Sequence, residues 1–266
     1  MNKIVLYCKS YRGDVHRTKI LFDSIIKYNV ENIPFYISCP KKDKDIFIHN
    51  LGSSGYILVD DESIYDHDQN EDWTAQQVVK SSFWKLNLCE NYLVLDSDSY
   101  FIRPFYTSDF IAPNGKPYTV MHEQKELFNW TVNKVSKLGF DPIDSFKECR
   151  KKIMDVFGRT GKYYDFGPSP VIWNCENWKF LDEHYLKPNN LTFSDAIKIV
   201  PSEFTWYGEW LLAHDNGIQP IEPLFKVFHY NPQYHEAKHH GYTEEHYSKI
   251  YLGIVMQSNA NIPTKY

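Results

Sequence analysis

The chain has 266 residues and no apolar run of about 18, so no membrane-spanning helix is expected. It has no basic tail or stripe, and its formal net charge is −5. Nucleic-acid binding as a main role is excluded on that ground, because a phosphate backbone calls for a basic footprint. No Cys-x-x-Cys pair occurs among Cys8, Cys39, Cys89, Cys149 and Cys175, which are odd in number and widely spaced. They read as reduced, mostly buried thiols rather than a disulfide frame or a zinc site. No charged-then-apolar segment precedes the first predicted strand, so a cytoplasmic location is expected. Peripheral contact at the inner face of a membrane is compatible with it. Internal repeats and low-complexity tracts are also missing.

What is present is an ordinary globular composition, 42% hydrophobic and 24% charged, with many aromatics. Aromatic excess serves sugar or base stacking, but packing is its commoner use. Short apolar strands alternate with helical stripes. Ile4 to Cys8 predicts a strand. Asp14 is placed to cap a helix over Val15 to Tyr28, with Thr18, Leu21, Phe22, Ile25 and Ile26 facing inward. Pro34 to Ser38 predicts the second strand of a βαβ unit. A helix from about Lys41 to Leu51 and a strand over Tyr56 to Val59 follow. The acidic, polar stretch 63–72 reads as loop. Thr74 to Cys89 predicts a helix, Tyr92 to Leu95 a strand, and Tyr118 to Met121 another. The stretch 124–165 reads as mostly helical.

Beyond it, Val171 to Asn174 predicts a strand and 176–198 a helical region broken near Pro188. Ile197 to Val200 predicts a strand, Ser202 to Ala213 a helix, and Lys226 to His229 the last strand. A final helix capped by Thr243 carries Tyr247, Ile250, Tyr251, Ile254 and Val255 as its stripe. The alternation implies an α/β fold.

The stretch that stands out is Tyr92-Leu93-Val94-Leu95-Asp96-Ser97-Asp98. A buried strand ends in two carboxylates one residue apart. If the segment stays extended, Asp96 and Asp98 point the same way and Ser97 turns away. Two converging carboxylates call for a cation, and hard oxygen ligands suit Mg²⁺ or Mn²⁺. The carboxyl ends of strands in open α/β sheets are also where ligands bind. Polar clusters at Tyr11 to Arg17 and Asp60 to Glu62 follow other strands, and a parallel sheet would bring all three to one edge.

Leu93-Val94-Leu95-Asp96-Ser97-Asp98 resembles the Asp-x-Asp motif of GT-A-fold glycosyltransferases. Ile102-Arg103-Pro104-Phe105 is similar to bacterial members linked to surface polysaccharide synthesis. The loop Tyr11-Arg12-Gly13-Asp14 resembles the family's nucleotide-binding start, and Gly167 its glycine loop. Tyr207-Gly208-Glu209 resembles its acidic motif, departing from the usual acidic pair at Gly208, and His229 its late metal-binding histidine.

The resemblance implies one GT-A-like (Rossmann-like) domain over 1–266, its mixed, mostly parallel sheet flanked by helices. A donor half would span 1–105 and an acceptor half 106–266, with a helical insertion at about 124–165. The implied activity is metal-assisted transfer of a sugar, of the hexosyltransferase class. The donor would be a nucleoside-diphosphate sugar of the UDP type, and the acceptor a saccharide or glycolipid in polysaccharide or lipopolysaccharide synthesis.

Asp96, Asp98 and His229 would hold Mn²⁺ or Mg²⁺. Tyr11, Arg12, Asp14, Arg17, Asp60, Gln77, Lys80 and Asp96 would meet the donor. Glu209, with Glu203 second, would act on the attacking hydroxyl. His122, Gly167, Ser169 and Trp173 would line the acceptor side. Two other readings stand beside this one. A haloacid-dehalogenase-type phosphatase also puts Asp-x-Asp after an apolar strand, though early in its chain. A carbohydrate-binding module would use the aromatics, though such modules are mostly β.

Overall fold

β1 (Asn2–Lys9) is buried over its last six residues and lies at the centre of the main sheet. The computed structural model describes residues 1–65, 73–132, 141–214 and 217–266. On one side β1 pairs in parallel with β2 (Phe35–Cys39), reached through α1 (Val15–Tyr28). β2 pairs in parallel with β3 (Ile57–Asp60), reached through α2 (Lys44–Leu51). After α3 (Asp61–Ile64) and α4 (Trp73–Ser82), the chain crosses back to β4 (Cys89–Leu95), parallel to β1 on its other side. The order β3-β2-β1-β4-β7 thus changes direction between β1 and β4. The outer β7 (Val171–Asn174) is antiparallel. This is a mixed, mostly parallel sheet flanked by helices, as the sequence implies, and not the mostly β build of a binding module.

Strand alternation explains the two-sided core. Tyr92 and Val94 of β4 face one cluster with Tyr7, Phe83, Trp173 and Trp178. Leu93 and Leu95 face the other with Leu6, Phe22 and Ile37. In α1 the inward face holds Thr18, Leu21, Phe22, Ser24 and Ile25, whereas Ile26 lies exposed outside it. Asp14 stands at the N-cap position, but its carboxylate turns away and makes no cap bond. The expected loop over 63–72 begins inside α3, and its residues 66–72 lie outside the described residues. So do residues 133–140 of the stretch expected to be helical.

The second half departs from the sequence pattern in two places. β5 (Ser99–Phe101), β9 (Phe225–Phe228) and β10 (Gly253–Met256) form a three-stranded sheet with β10 in the middle. The predicted final helix is therefore cut short. Thr243 caps only α11 (Glu244–Ser248), and the apolar run after it is a strand. Ile254 and Val255 are fully buried on opposite faces of that strand, which a helix stripe does not allow.

The strand expected over Ile197 to Val200 is instead the end of α8 (Phe193–Ile199), held by a Thr192–Asp195 capping box. The remaining elements are β6 (Tyr118–Val120) paired with β8 (Gln219–Ile221), and the helices α5 (Lys125–Thr131), α6 (Pro142–Val156), α7 (Cys175–Leu181), α9 (Glu203–Ala213) and α10 (Asn231–His239). Among the described residues no helix is long and apolar enough to cross a membrane.

Phe83 ties α4 to the sheet. Its ring stacks on Tyr7 at 3.9 Å and meets Tyr92 at 5.2 Å. Phe83→Ala should lower unfolding free energy by about 3–5 kcal/mol, because a cavity opens against rigid strands. Urea denaturation checks this; a loss below about 1 kcal/mol would contradict the packing role.

Candidate functional site

β4 and β1 deliver their carboxyl ends side by side where the strand order turns. A crevice outside such a point is where open α/β sheets bind ligands. At the end of β4 the chain does not stay extended. The Ser99 N–H and Oγ both donate to the Asp96 carbonyl, at 3.1 and 2.7 Å, so Asp96 to Ser99 is a turn. The turn, not strand alternation, sets the two carboxylates near each other. Ser97 points inward and donates to Asp14 Oδ2 at 3.1 Å, across the gap between β4 and β1. Asp14 also pairs with Arg17 at 2.7 Å.

The two carboxylates have different surroundings. Asp96 Oδ1 meets the Lys80 ammonium at 3.2 Å, and its N–H donates to Ser169 Oγ at 2.9 Å. Lys80 is itself buried and also holds Glu203 at 2.5 Å. Burial works against the Lys80 charge, but Asp96 and Glu203 outweigh it and keep its pKa above the ordinary lysine value. Asp98 Oδ2 accepts from the Ser258 N–H at 2.8 Å. Its Oδ1 is buried without any partner. Burial, and then the Asp96 charge beside it, pushes the Asp98 carboxyl up to about 7. A buried carboxylate oxygen without a donor, next to a second carboxylate, fits a divalent cation. Mg²⁺ in particular is commonly held by one or two carboxylates, with water and substrate phosphates completing its shell.

Other expected donor-side residues are distributed around this point. Tyr11 lies on the loop after β1, its ring folded against Gly13. Arg12 reaches sideways to Asp43 at 2.7 Å, with its side chain half exposed. Asp60 ends β3, two strands from β1, and pairs with Lys44 at 2.9 Å. Gln77 is buried on α4 against α9, where its Oε1 accepts the Glu203 N–H at 3.2 Å.

Three expectations are corrected. Glu209 is completely buried and both its oxygens are taken by Arg159, one at 2.7 Å. Burial raises its pKa ahead of the lowering by Arg159. No attacking hydroxyl reaches a carboxylate so enclosed. Gly208 is glycine for a packing reason, since a Cβ there would fall inside the Phe166 ring. Trp173 is a core residue, edge-on to Tyr92 at 5.8 Å. His229 directly follows β9 and lies near Asp165, Lys226, Glu126 and His122. Among the described residues no three His, Cys, Asp or Glu side chains gather as a metal set, so the trio Asp96, Asp98 and His229 is not assembled. Burial pushes His229 down to about 4, which leaves a neutral imidazole at pH 7.

His229 and His122 instead line a second feature, a cleft of about 580 Å³. His122 Nε2 donates to the Gly167 carbonyl at 2.7 Å. Beside it Asp165 is buried and accepts from Arg150 at 2.5 Å, from the Gly167 N–H at 3.2 Å and from Gln124. Burial opposes its charge, but Arg150 and His122 hold the carboxyl down at about 2. The loop Gly167 to Pro170 joins the two features. Pro168 lines the cleft, and Ser169 holds the Asp96 backbone and donates to the Val94 carbonyl at 3.2 Å. Sequence reasoning missed Asp165, Arg150 and Ser258. Asp165 just before Phe166-Gly167 was the one visible signal, while Ser258 acts through its backbone.

A family model described as a family of unknown function, DUF6492, matches residues 3–156. No curated protein matches the sequence. Among solved structures, the apo crystal structure of mouse xyloside xylosyltransferase 1 is similar, with a TM-score of 0.52 and 8% identity. The alignment covers 98% of this chain and 100% of that one, so the shared feature is the fold over the whole domain.

The Asp98 environment makes a pH-dependent prediction. A carboxyl whose folded pKa is raised above its unfolded value of about 3.9 binds its proton more tightly when folded. Its ionisation costs stability, absent below about pH 4 and complete above about pH 7. Asp98→Asn should therefore stabilise the metal-free protein at pH 8 by about 1–2 kcal/mol and change it little at pH 4. Thermal melts at both pH values check this, and destabilisation at pH 8 would refute it.

Proposed function

We propose that this chain, which belongs to the DUF6492 family, is a glycosyltransferase of the hexosyltransferase class. It would take the sugar from a nucleoside-diphosphate donor of the UDP type and pass it to a saccharide or glycolipid acceptor in surface polysaccharide synthesis. The observation that carries the reading is Asp98 Oδ1, a buried carboxylate oxygen with no partner beside Asp96 at the switch point of the sheet. The fold shared with a xylosyltransferase supports it.

Each residue around the turn has a distinct part. Asp96 and Asp98 would hold Mn²⁺ or Mg²⁺, which supplies Lewis-acid stabilisation of the departing diphosphate. Lys80 fixes Asp96 and carries a positive charge at the crevice. Glu203 keeps Lys80 charged and in place. Ser258 and Ser169 hold the backbone and carboxylate of the turn in register. Arg17, steadied by Asp14, offers a second positive charge near the phosphates. The phosphatase reading has less support, because its Asp-x-Asp normally lies early in the chain, whereas here β1, β2 and β3 with their helices precede it.

The test is thermal stabilisation with a panel of nucleoside diphosphates, with and without Mn²⁺. One nucleotide should stabilise the protein by about 2–3 kcal/mol at a hundred times its Kd, only with the metal present. Asp98→Ala should remove that response and leave the fold intact. No response to any nucleotide, together with hydrolysis of a phosphate ester, would overturn the assignment.

A further inference from the structure

We infer that the 580 Å³ cleft behind the Gly167 to Pro170 loop is the acceptor site and that it takes an uncharged oligosaccharide, not a phosphorylated or uronate-bearing one. This rests on the glycosyltransferase reading above. The size falls in the range of about 300–1,000 Å³ common to small-molecule sites. The position suits an acceptor because the cleft and the Asp96 turn share one loop. Pro168 is cleft wall, and Ser169, next in sequence, is bonded to the Asp96 N–H. The other side is shared too. Ile250 to Leu252 line the cleft, and β10, which follows directly, takes its last N–H bond to the Asp98 carbonyl at 2.8 Å. A sugar hydroxyl in the cleft would therefore stand on the far side of the carboxylate turn from the β1 loop.

The chemical class follows from the charges on the wall. Asp109, Glu123, Glu126 and Glu222 line it against Arg103 and Lys125. The lysines here are spent on these carboxylates. Glu123 pairs with Lys162 at 2.9 Å and Lys125 at 3.5 Å, and Glu126 pairs with Lys226. Arg103 directs its Nε to the Tyr251 carbonyl at 3.1 Å. Arg103 keeps its charge, but four carboxylates against two cations make the wall net negative, so an entering phosphate or carboxylate meets a like charge there, Asp109 and Glu222 included. Sugar hydroxyls meet no such problem. A carboxylate already holding one cation keeps spare lone pairs for an O–H donor. Tyr164 and Tyr251 on the wall add apolar ring surface and hydroxyls, which suit the mixed faces of a pyranose. His229, neutral at pH 7, adds a polar group without a charge.

The experiment is saturation-transfer NMR and calorimetry on the full chain. Lactose, maltose and diacetylchitobiose are the uncharged probes; a glucuronate disaccharide and maltose 1-phosphate are the anionic ones. At least one uncharged probe should bind, and each anionic one should bind about tenfold more weakly or worse, as like-charge rejection implies. Tyr164→Ala should weaken the uncharged probe, and Glu126→Gln with Glu222→Gln should narrow the gap between the classes. Anionic probes binding as tightly as uncharged ones would overturn the inference, and so would a Tyr164→Ala variant that binds unchanged. Mn²⁺-dependent nucleotide stabilisation without saccharide binding would overturn this assignment alone. Saccharide binding without any nucleotide response would overturn the acceptor role and the transferase reading together.

Discussion

Two carboxylates held near each other at the end of a buried strand repel, and much of the surrounding structure compensates for that repulsion. Asp96 is neutralised by Lys80. Lys80 is buried, so it needs a second carboxylate, and Glu203 supplies it. Glu203 opens α9, where a helix N-terminus favours negative charge, and its N–H is taken by Gln77 from α4. One electrostatic requirement thus docks α4 and α9 onto the end of β4. The compensation stops at Asp98, which receives a single backbone N–H and keeps one buried oxygen unpaired. A carboxylate left short of positive charge in this way is the observation on which the proposed metal site rests.

The second half of the chain is organised by two other buried pairs, Arg150–Asp165 and Arg159–Glu209. Both arginines lie on or just after α6, and both carboxylates lie on the body beneath it. They anchor that helix beside the cleft and leave neither carboxylate open to a ligand. The cleft's own ion pairs, Glu123 with Lys125 and Lys162 and Glu126 with Lys226, join more exposed residues. The contrast is physical: deep pairs fix position because an unpaired charge there is costly, while rim pairs set which charge may approach.

Several residues of the candidate site were legible in the sequence, and the surroundings of others were misread for identifiable reasons. Asp96 and Asp98 were visible because an apolar run that ends in charge marks a strand end. Lys80 and Glu203 were visible as charged residues on helices flanking that strand, though not as partners of each other. Glu209 and Trp173 were misjudged because burial is decided by neighbours distant in sequence, here Arg159 and Tyr92. Gly208 read as a lost acidic residue, yet the Phe166 ring occupies the space a side chain would need. β10 read as helix because Tyr247, Ile250, Tyr251, Ile254 and Val255 fit a 3.6-residue stripe. A short apolar run does not discriminate helix from strand by itself. Pairing with β5 and β9 decided it.

The sequence by itself determined the α/β alternation, the parallel order of the first strands and the carboxylate pair at the end of β4. These follow from local patterns: period-two burial, helical stripes and the break from apolar to charged residues. Only the tertiary structure decided which carboxylates are satisfied and which is left short. It enclosed Glu209 and joined the cleft to Asp96 through Ser169. The reason is that charge is felt over a few ångströms of space, whatever the distance along the chain. Whether a carboxylate is free depends on which cation the fold has brought beside it.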